Sequence, residues 1–349
     1  MKMKNYLLAI VALVVSLSAS AQSNNSFAQE YMSLSGYLQG GFQSTDFLST
    51  FYLKRARVSL TGNAKQEKID YRLQVDMAGE PKICDLYFRY KPSSKLGMQL
   101  GQFKIPFAIE NDIYGPTTVE LIDYSYITML LARNQNRYDG LAVTGRDIGF
   151  QLYGALAEAK GYNILSYNVG VFNGAGINTQ DNNDAKDYVA RLIYKPSKAL
   201  SLSGSIMSTQ TTKEESRLIL EGLNVVTATK KTNIKSSRWA LGAIYDVDEF
   251  ILRSEYAGAT FDTFDVESFY VLGGYKIKRD WMLVARYEVL NQIYKTHTWQ
   301  ADRVTVGAVF KPYSFLRFQL NYAYEQGGDK GAKRPDKNGY LNLMLTAIF

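Results

Sequence analysis

Cysteine and histidine are almost missing from this chain. Cys84 is its only thiol, so no disulfide can form within it. His297 is its only imidazole, and one residue of each kind leaves too few ligands for a zinc site of the usual sort. His297, in "YKTHTWQ", has no nucleophile or carboxylate beside it in sequence, so a Ser-His-Asp arrangement has little to build on. Proline is sparse, at 7 residues. Long apolar runs are missing too: after residue 21 none reaches the ~18 residues from which a helical span is read. The chain therefore offers little for metal chemistry or histidine-based catalysis. It reads as a protein that is not an enzyme and has no cofactor.

Aromatic residues are plentiful, with 26 Tyr, 17 Phe and 3 Trp, yet the mean hydropathy is only −0.20. Apolar residues must therefore be spread out along the chain. The first residues carry Lys2 and Lys4, then an apolar stretch from Tyr6 to Leu17, then Ala19-Ser20-Ala21. That order predicts a secretory signal peptide over 1–21, with Gln22 starting the mature domain that runs over 22–349. The formal net charge of +7 includes the two leader lysines.

From Tyr31 onward apolar residues recur at every second position. In "DYRLQVDM", Tyr71, Leu73, Val75 and Met77 oppose Asp70, Arg72, Gln74 and Asp76. In "LRFQLNYAY", Leu316, Phe318, Leu320, Tyr322 and Tyr324 oppose Arg317, Gln319, Asn321 and Ala323. A period of two gives strands with one apolar and one polar face. A soluble sandwich alternates as well. Here the polar faces are rich in Arg and Asp, and aromatics gather toward the strand ends. That suits apolar-out and polar-in packing with aromatic girdles.

Sixteen strands are expected, at 33–43, 50–62, 69–78, 84–91, 96–103, 142–154, 162–172, 187–195, 200–208, 237–246, 249–257, 267–276, 281–290, 302–311, 315–325 and 339–349. The connectors alternate in length. The short set includes 91–95, 195–199, 246–249 and 311–315; the long set includes 104–141, 173–186, 209–236, 291–301 and 326–338. Three short ones carry Lys-Pro, at Lys91-Pro92, Lys195-Pro196 and Lys311-Pro312, and all fall on one side. Short turns at one rim and long loops at the other mark an outer-membrane barrel. The alternating "YLNLMLTAIF" ending at Phe349 predicts a last strand that must pair with the first, because an open edge in lipid leaves backbone groups unbonded.

Several stretches resemble the phosphate-selective porin O and P family: "FYLKRARVSLTG" (51–62), "DLYFRYKPSSKLGMQLGQFKIPFAIEN" (85–111), "GRDIGFQLYG" (145–154), "GVFNGAGINTQDNNDAKDYVARLIYKPSK" (170–198) and the terminal strand. The resemblance implies an all-β fold, a 16-stranded antiparallel transmembrane β-barrel with a constricting loop 3, and a homotrimer. It implies passive diffusion of small hydrophilic solutes and ions, in some members with phosphate or another anion preferred.

Residues 104–141 form the longest connector and correspond to loop 3, with a short helix expected over 117–133 after Pro116. Its charged residues up to 137 are Glu110, Asp112, Glu120 and Asp123 against Lys104, Arg133 and Arg137, a surplus of one acid. That surplus argues for a mild rather than a strict anion preference. Arg133 and Arg137 are the first candidates for a cationic constriction, then Lys104. Strand parity places Arg55, Arg57, Arg72, Arg89, Arg191, Arg238, Arg253, Arg286, Arg303 and Arg317 on the inner face, with Asp76 among the acids there. Such arginines either favour anions or brace the wall by pairing with carboxylates across strands.

Other signals carry less. "GVFNGAG" (170–176) has spaced glycines but no G-K-[ST] and no following helix. "DNNDAKD" (181–187) has spaced carboxylates but lacks the turn glycine and distal Glu of a calcium loop, so it reads as a solvated outer loop with at most weak divalent binding. "TKKTNIKSSR" (229–238) is basic without interleaved aromatics, so it reads as an outer loop facing solvent or anionic lipopolysaccharide, not nucleic acid. The expected partners are small solutes or anions, outer-membrane lipid and lipopolysaccharide. A loop-plugged barrel acting as a surface receptor or adhesin is the competing function; a barrel enzyme is a third.

Overall fold

The computed structural model describes residues 32–46, 48–64, 66, 68–132, 145–159, 161–181, 183–221, 224–277, 280–330 and 336–349, with backbone alone over 211–221, 224–233 and 336–337. Sixteen strands alternate apolar and polar residues, as period two requires. They are β1 (Met32–Thr45), β2 (Ser49–Ala64), β3 (Ile69–Asp76), β4 (Lys82–Ser93), β5 (Leu96–Lys104), β6 (Arg146–Ala159), β7 (Tyr162–Phe172) and β8 (Asp187–Tyr194). Then come β9 (Leu200–Glu221), β10 (Asn224–Asp246), β11 (Phe250–Phe261), β12 (Phe264–Lys276), β13 (Trp281–Tyr294), β14 (Thr298–Tyr313), β15 (Leu316–Asp329) and β16 (Asp336–Ile348). Each pairs antiparallel with its neighbours in the chain. β1 also pairs with β16, which closes the barrel.

The seam is fixed at the end of the chain. Gly36 N–H donates to the Phe349 carbonyl at 2.8 Å, and Phe349 N–H donates back to Gly36 at 3.0 Å. A Cβ on Gly36 would lie 2.5 Å from both the Phe349 ring and the Arg57 carbonyl oxygen. Only glycine leaves room for that ring.

Exposure runs opposite to that of a soluble protein. Leu53 is 82 % exposed, whereas Arg253 and Arg286 are 0 % and 1 % exposed. Apolar side chains face lipid and arginines face inward. Aromatic pairs mark the rims. Trp281 and Phe310 stack with centroids 4.3 Å apart near the short-turn rim, and Phe42 and Phe51 meet at 5.0 Å where β1 and β2 near their joining turn. Among the described residues no helix is long and apolar enough to cross a membrane.

Three expectations need correction. The long connector 209–236 is strand instead: β9 and β10 stay paired from Tyr245↔Leu200 out to Asn224↔Glu221. The basic 229–238 stretch therefore lies in β10 and is not a loop. In the same way 291–301 shrinks to the turn between Tyr294 and Thr298. The register sets Lys230 opposite Glu215 and Lys231 opposite Glu214 along the β9–β10 ladder. Finally, no helix spans 117–133. A four-residue helix α1 (Ile109–Asp112) precedes that stretch, and a π-helical turn (Ile127–Ala132) ends its described part.

The inner face is also less uniformly polar than alternation suggests. Val189, Met207, Ala240, Ile251, Ala257, Val266, Leu272 and Val284, from β8 to β13, point inward and form an apolar cluster with Phe107, Ile109, Leu121, Ile127, Leu130 and Leu131 of the β5–β6 connector.

Candidate functional site in the barrel interior

The connector leaves β5 at Lys104 and crosses the barrel. Its backbone bonds to inward side chains around most of the wall. Gln39 of β1 donates to the Pro116 carbonyl at 3.0 Å, and Lys54 of β2 donates to Ile122 at 3.1 Å. On the far side the Ala108 N–H donates to Ser205 of β9 at 3.3 Å, the Ile109 N–H to Glu255 of β11 at 2.7 Å, and the Tyr126 N–H to Glu288 of β13 at 2.7 Å. Asn321 of β15 accepts the Ile122 N–H at 2.7 Å. Irregular backbone at membrane depth persists only when protein satisfies it, as here.

Each described acid of this segment is engaged by a wall residue. Glu110 is fully buried between Arg286 at 3.4 Å and Arg253 at 3.5 Å, and accepts the Ser125 N–H at 2.7 Å. Burial pushes its carboxyl up, but the two guanidiniums and the Ser125 N–H outweigh this and hold it below the ordinary glutamate range. Glu120 pairs with Arg253 at 2.7 Å, and Asp112 with Arg191 at 2.5 Å. Asp123 lies 3.7 Å from Lys54 and accepts from Asn342 at 2.8 Å. Lys104 donates to the Tyr114 carbonyl at 3.1 Å. Arg133 and Arg137 lie outside the described residues.

The wall arginines fall into two groups. Arg191, Arg238, Arg253, Arg286, Arg303 and Arg317 hold the connector. Arg238 donates to the Leu131 carbonyl at 2.5 Å, Arg303 to Tyr124 at 2.9 Å and Arg317 to Val119 at 2.5 Å. Arg253 also stacks over Tyr114, 3.9 Å from the ring centroid. The second group lies toward β1–β6. Arg57 pairs with Asp76 at 2.8 Å, Arg89 with Asp70 at 2.6 Å and Arg72 with Asp85 at 3.6 Å, while Arg55 donates to Gln39 at 2.8 Å. Pairing across strands braces the wall, and it leaves no wall purely cationic or purely acidic.

Toward β2–β6 a cavity of about 490 Å³ remains open. Arg57, Arg72, Arg89, Lys104 and Arg146 line it, against Asp85 and Asp112. Sequence reading missed Arg146, because it sits at the very start of β6, where parity is uncertain. It grips Asp85 with two nitrogens, at 2.7 and 3.4 Å. A second cavity of about 790 Å³ lies toward the short-turn rim, with Lys276, Lys311 and Arg317 against Glu120, Asp246, Asp248 and Asp280. The connector divides them: Asp112, Ile113 and Gly115 to Thr117 line the first, and Tyr114, Thr118 and Glu120 the second.

A closed barrel with arginines inside and an inward connector is a channel architecture. The family model described as phosphate-selective porin O and P matches residues 35–346. The chain belongs to that family. Its fold is shared by solved porins. An anion-selective porin from Comamonas acidovorans superposes with a TM-score of 0.68 at 13% identity, covering 91% of this chain and 99% of that one. OmpT of Vibrio cholerae in its trimer form gives 0.67 at 15% identity, over 91% and 99% of the two chains. OmpF of Salmonella typhi gives 0.63 at 10% identity, over 91% and 97%. No curated protein matches the sequence. As a phosphate-selective porin O and P family member this barrel is an outer-membrane channel for small solutes, and its family and fold are those of channels rather than enzymes.

One glycine signal takes on a different meaning in this porin. Gly174 and Gly176, in the "GVFNGAG" stretch, adopt φ of 77° and 84° and donate their N–H groups to Asp147 at 2.6 and 3.2 Å. The anion they hold is the protein's own carboxylate, not a phosphate.

Proposed function

We propose that small hydrophilic solutes diffuse passively through this barrel along the β2–β6 side, with anions, phosphate among them, preferred mildly. The observation that carries this is the engagement of Glu110, Asp112, Glu120 and Asp123 by wall residues, while five cations and two acids line the open cavity. The surplus acid of loop 3 is thereby neutralised before a solute meets it. Planar, multidentate guanidinium groups suit phosphate and carboxylate.

In this reading the connector narrows the pore between 104 and 137, with Lys104, Arg133 and Arg137 as its cations. Residues 1–21 are removed at the Ala21–Gln22 bond. The barrel assembles as a homotrimer, as the Vibrio cholerae relative does in its trimer form. Its long-loop rim meets lipopolysaccharide, with the basic β10 extension on that side.

The test is a planar bilayer with a KCl gradient, read for conductance and reversal potential, then titrated with phosphate. Large steps, an anion-side reversal and reduced chloride current with phosphate support the reading. Steps with neutral or cation-side reversal remove the anion preference. Folded protein that conducts nothing turns the reading to a plugged barrel with a receptor role.

A further inference from the structure

Lys311 and Arg317 flank the tight turn between β14 and β15. They lie between the register pairs Phe310↔Phe318 and Tyr313↔Leu316, so the two cations sit across from one another. Like charges so placed repel. Both line the cavity of about 790 Å³ toward the short-turn rim. Arg317 is 2 % exposed. Its Nη2 donates to the Val119 carbonyl, but its buried Nε and Nη1 have no hydrogen-bond partner. Among the described residues no carboxylate lies within ion-pair distance of either cation. Glu120 of the same cavity pairs with Arg253, and Asp246 with Lys276 at 2.6 Å. Two lining acids are left without an ion pair among the described residues. They are Asp248, in the β10–β11 turn, and Asp280, just before β13, both exposed at the rim.

Buried guanidinium nitrogens without an acceptor are costly, and a carboxylate fits their planar fork. A simple anion would satisfy Arg317 and Lys311 but would face Asp248 and Asp280 as like charges. A solute with a carboxylate at one end and an ammonium at the other suits both pairs. Buried Ile251 and Val309, with Met282 and Tyr114, give the same cavity an apolar wall for the atoms between the charges. Its size falls within the roughly 300–1,000 Å³ of small-ligand sites. A free amino acid carries both charges on one Cα. A short peptide separates them by about 3.3–3.6 Å per residue, which suits a buried cation facing acids at the rim.

We propose that this cavity binds a short zwitterionic peptide, with the terminal carboxylate on Arg317 and Lys311 and the ammonium toward Asp248 and Asp280. The site lies across the connector from the β2–β6 cavity, so it stands or falls independently of the anion preference assigned to that route.

The test uses the full barrel in detergent, titrated with trialanine by calorimetry. Saturable uptake of one peptide per chain is expected. Trialanine amide, which lacks the carboxylate, should bind about tenfold or more weakly, the order expected for losing one charged hydrogen bond. Lys311→Gln and Arg317→Gln should each weaken trialanine to a similar degree. Asp46→Asn, exposed just past β1, should leave it within about twofold. Acetyl-trialanine, which lacks the ammonium, should also bind several-fold more weakly. Arg317 holds Val119 as well, so the amide and the Lys311 variant carry the test apart from any loosening of the connector. No saturable uptake, or equal affinity for the amide, the acetylated peptide or the Lys311 variant, overturns the proposal. Inorganic phosphate that displaces the peptide at equal or lower concentration also overturns it, leaving a plain anion site.

Discussion

Glu110 and Arg286 face each other at 3.4 Å, and neither side chain is exposed at all. One belongs to the inward connector and the other to β13. Arg253, at 3.5 Å, completes the bridge from β11. A buried pair of this kind stabilises little compared with an apolar filling, but removing one partner leaves a charge stranded. The connector is therefore latched to the wall by a contact that is expensive to half-break.

Glu110→Ala should loosen that latch. Breaking a buried pair costs about 3–5 kcal/mol. The lower end is expected, because Arg286 keeps Glu288 at 2.9 Å and Arg253 keeps Glu120 at 2.7 Å. The barrel should still form, since its ladder does not involve Glu110. Single-channel recording should show larger or noisier steps, and the heat-induced gel shift should move to lower temperature. Wild-type values in both assays would refute the latch.

Acid should act through the same group. The Glu110 carboxyl is held below its ordinary range. A depressed carboxylate contributes stability that is fully present above the unfolded value, about 4.3 for Glu, and lost as pH falls through the folded one. Conductance should therefore be flat from pH 7 down to about 5 and change only below about 4. A transition near pH 6 would point to another group.

Charge reversal at the cavity should change ion preference without unfolding the barrel. Arg72 and Arg89 are the more exposed of its arginines, each side chain 35% exposed. Arg72→Glu with Arg89→Glu should shift the reversal potential toward cations and weaken any phosphate block. The same shift from Arg133→Glu with Arg137→Glu would place a second cationic ring in the path. No shift from either pair would remove the β2–β6 route.

Gly36 should tolerate no side chain. Valine there would collide with the Arg57 carbonyl and the Phe349 ring at 2.5 Å. Overpacking of this kind costs about 1–3 kcal/mol. Gly36→Val should lower the temperature of the gel shift, and adding Phe349→Ala should recover part of the loss by removing the ring. If the double variant is as unstable as the sum of its parts, the ring contact does not set the seam.

The strands were legible in the sequence because alternation is a local property. Tyr71, Leu73 and Val75 announce an outward face whatever else the chain does. Parity also assigned ten arginines to the polar face, but it missed Arg146 at the start of β6. The β9–β10 extension was missed because Thr, Glu and Lys between 209 and 236 resemble loop composition. Only their cross-strand register shows Glu215 opposite Lys230. The helix expected over 117–133 does not form, because the wall captures that backbone with Asn321, Arg317 and Gln319, and no helical repeat is needed.

The sequence by itself determined that this chain is a barrel with apolar residues outside and arginines inside, since a period of two lies along the chain. Only the tertiary structure decided which charges remain for a solute. Glu110 is 143 residues from Arg253 and 176 from Arg286, and Asp112 is 79 from Arg191. A carboxylate's partner at that separation is chosen by barrel closure, which one strand's pattern cannot encode.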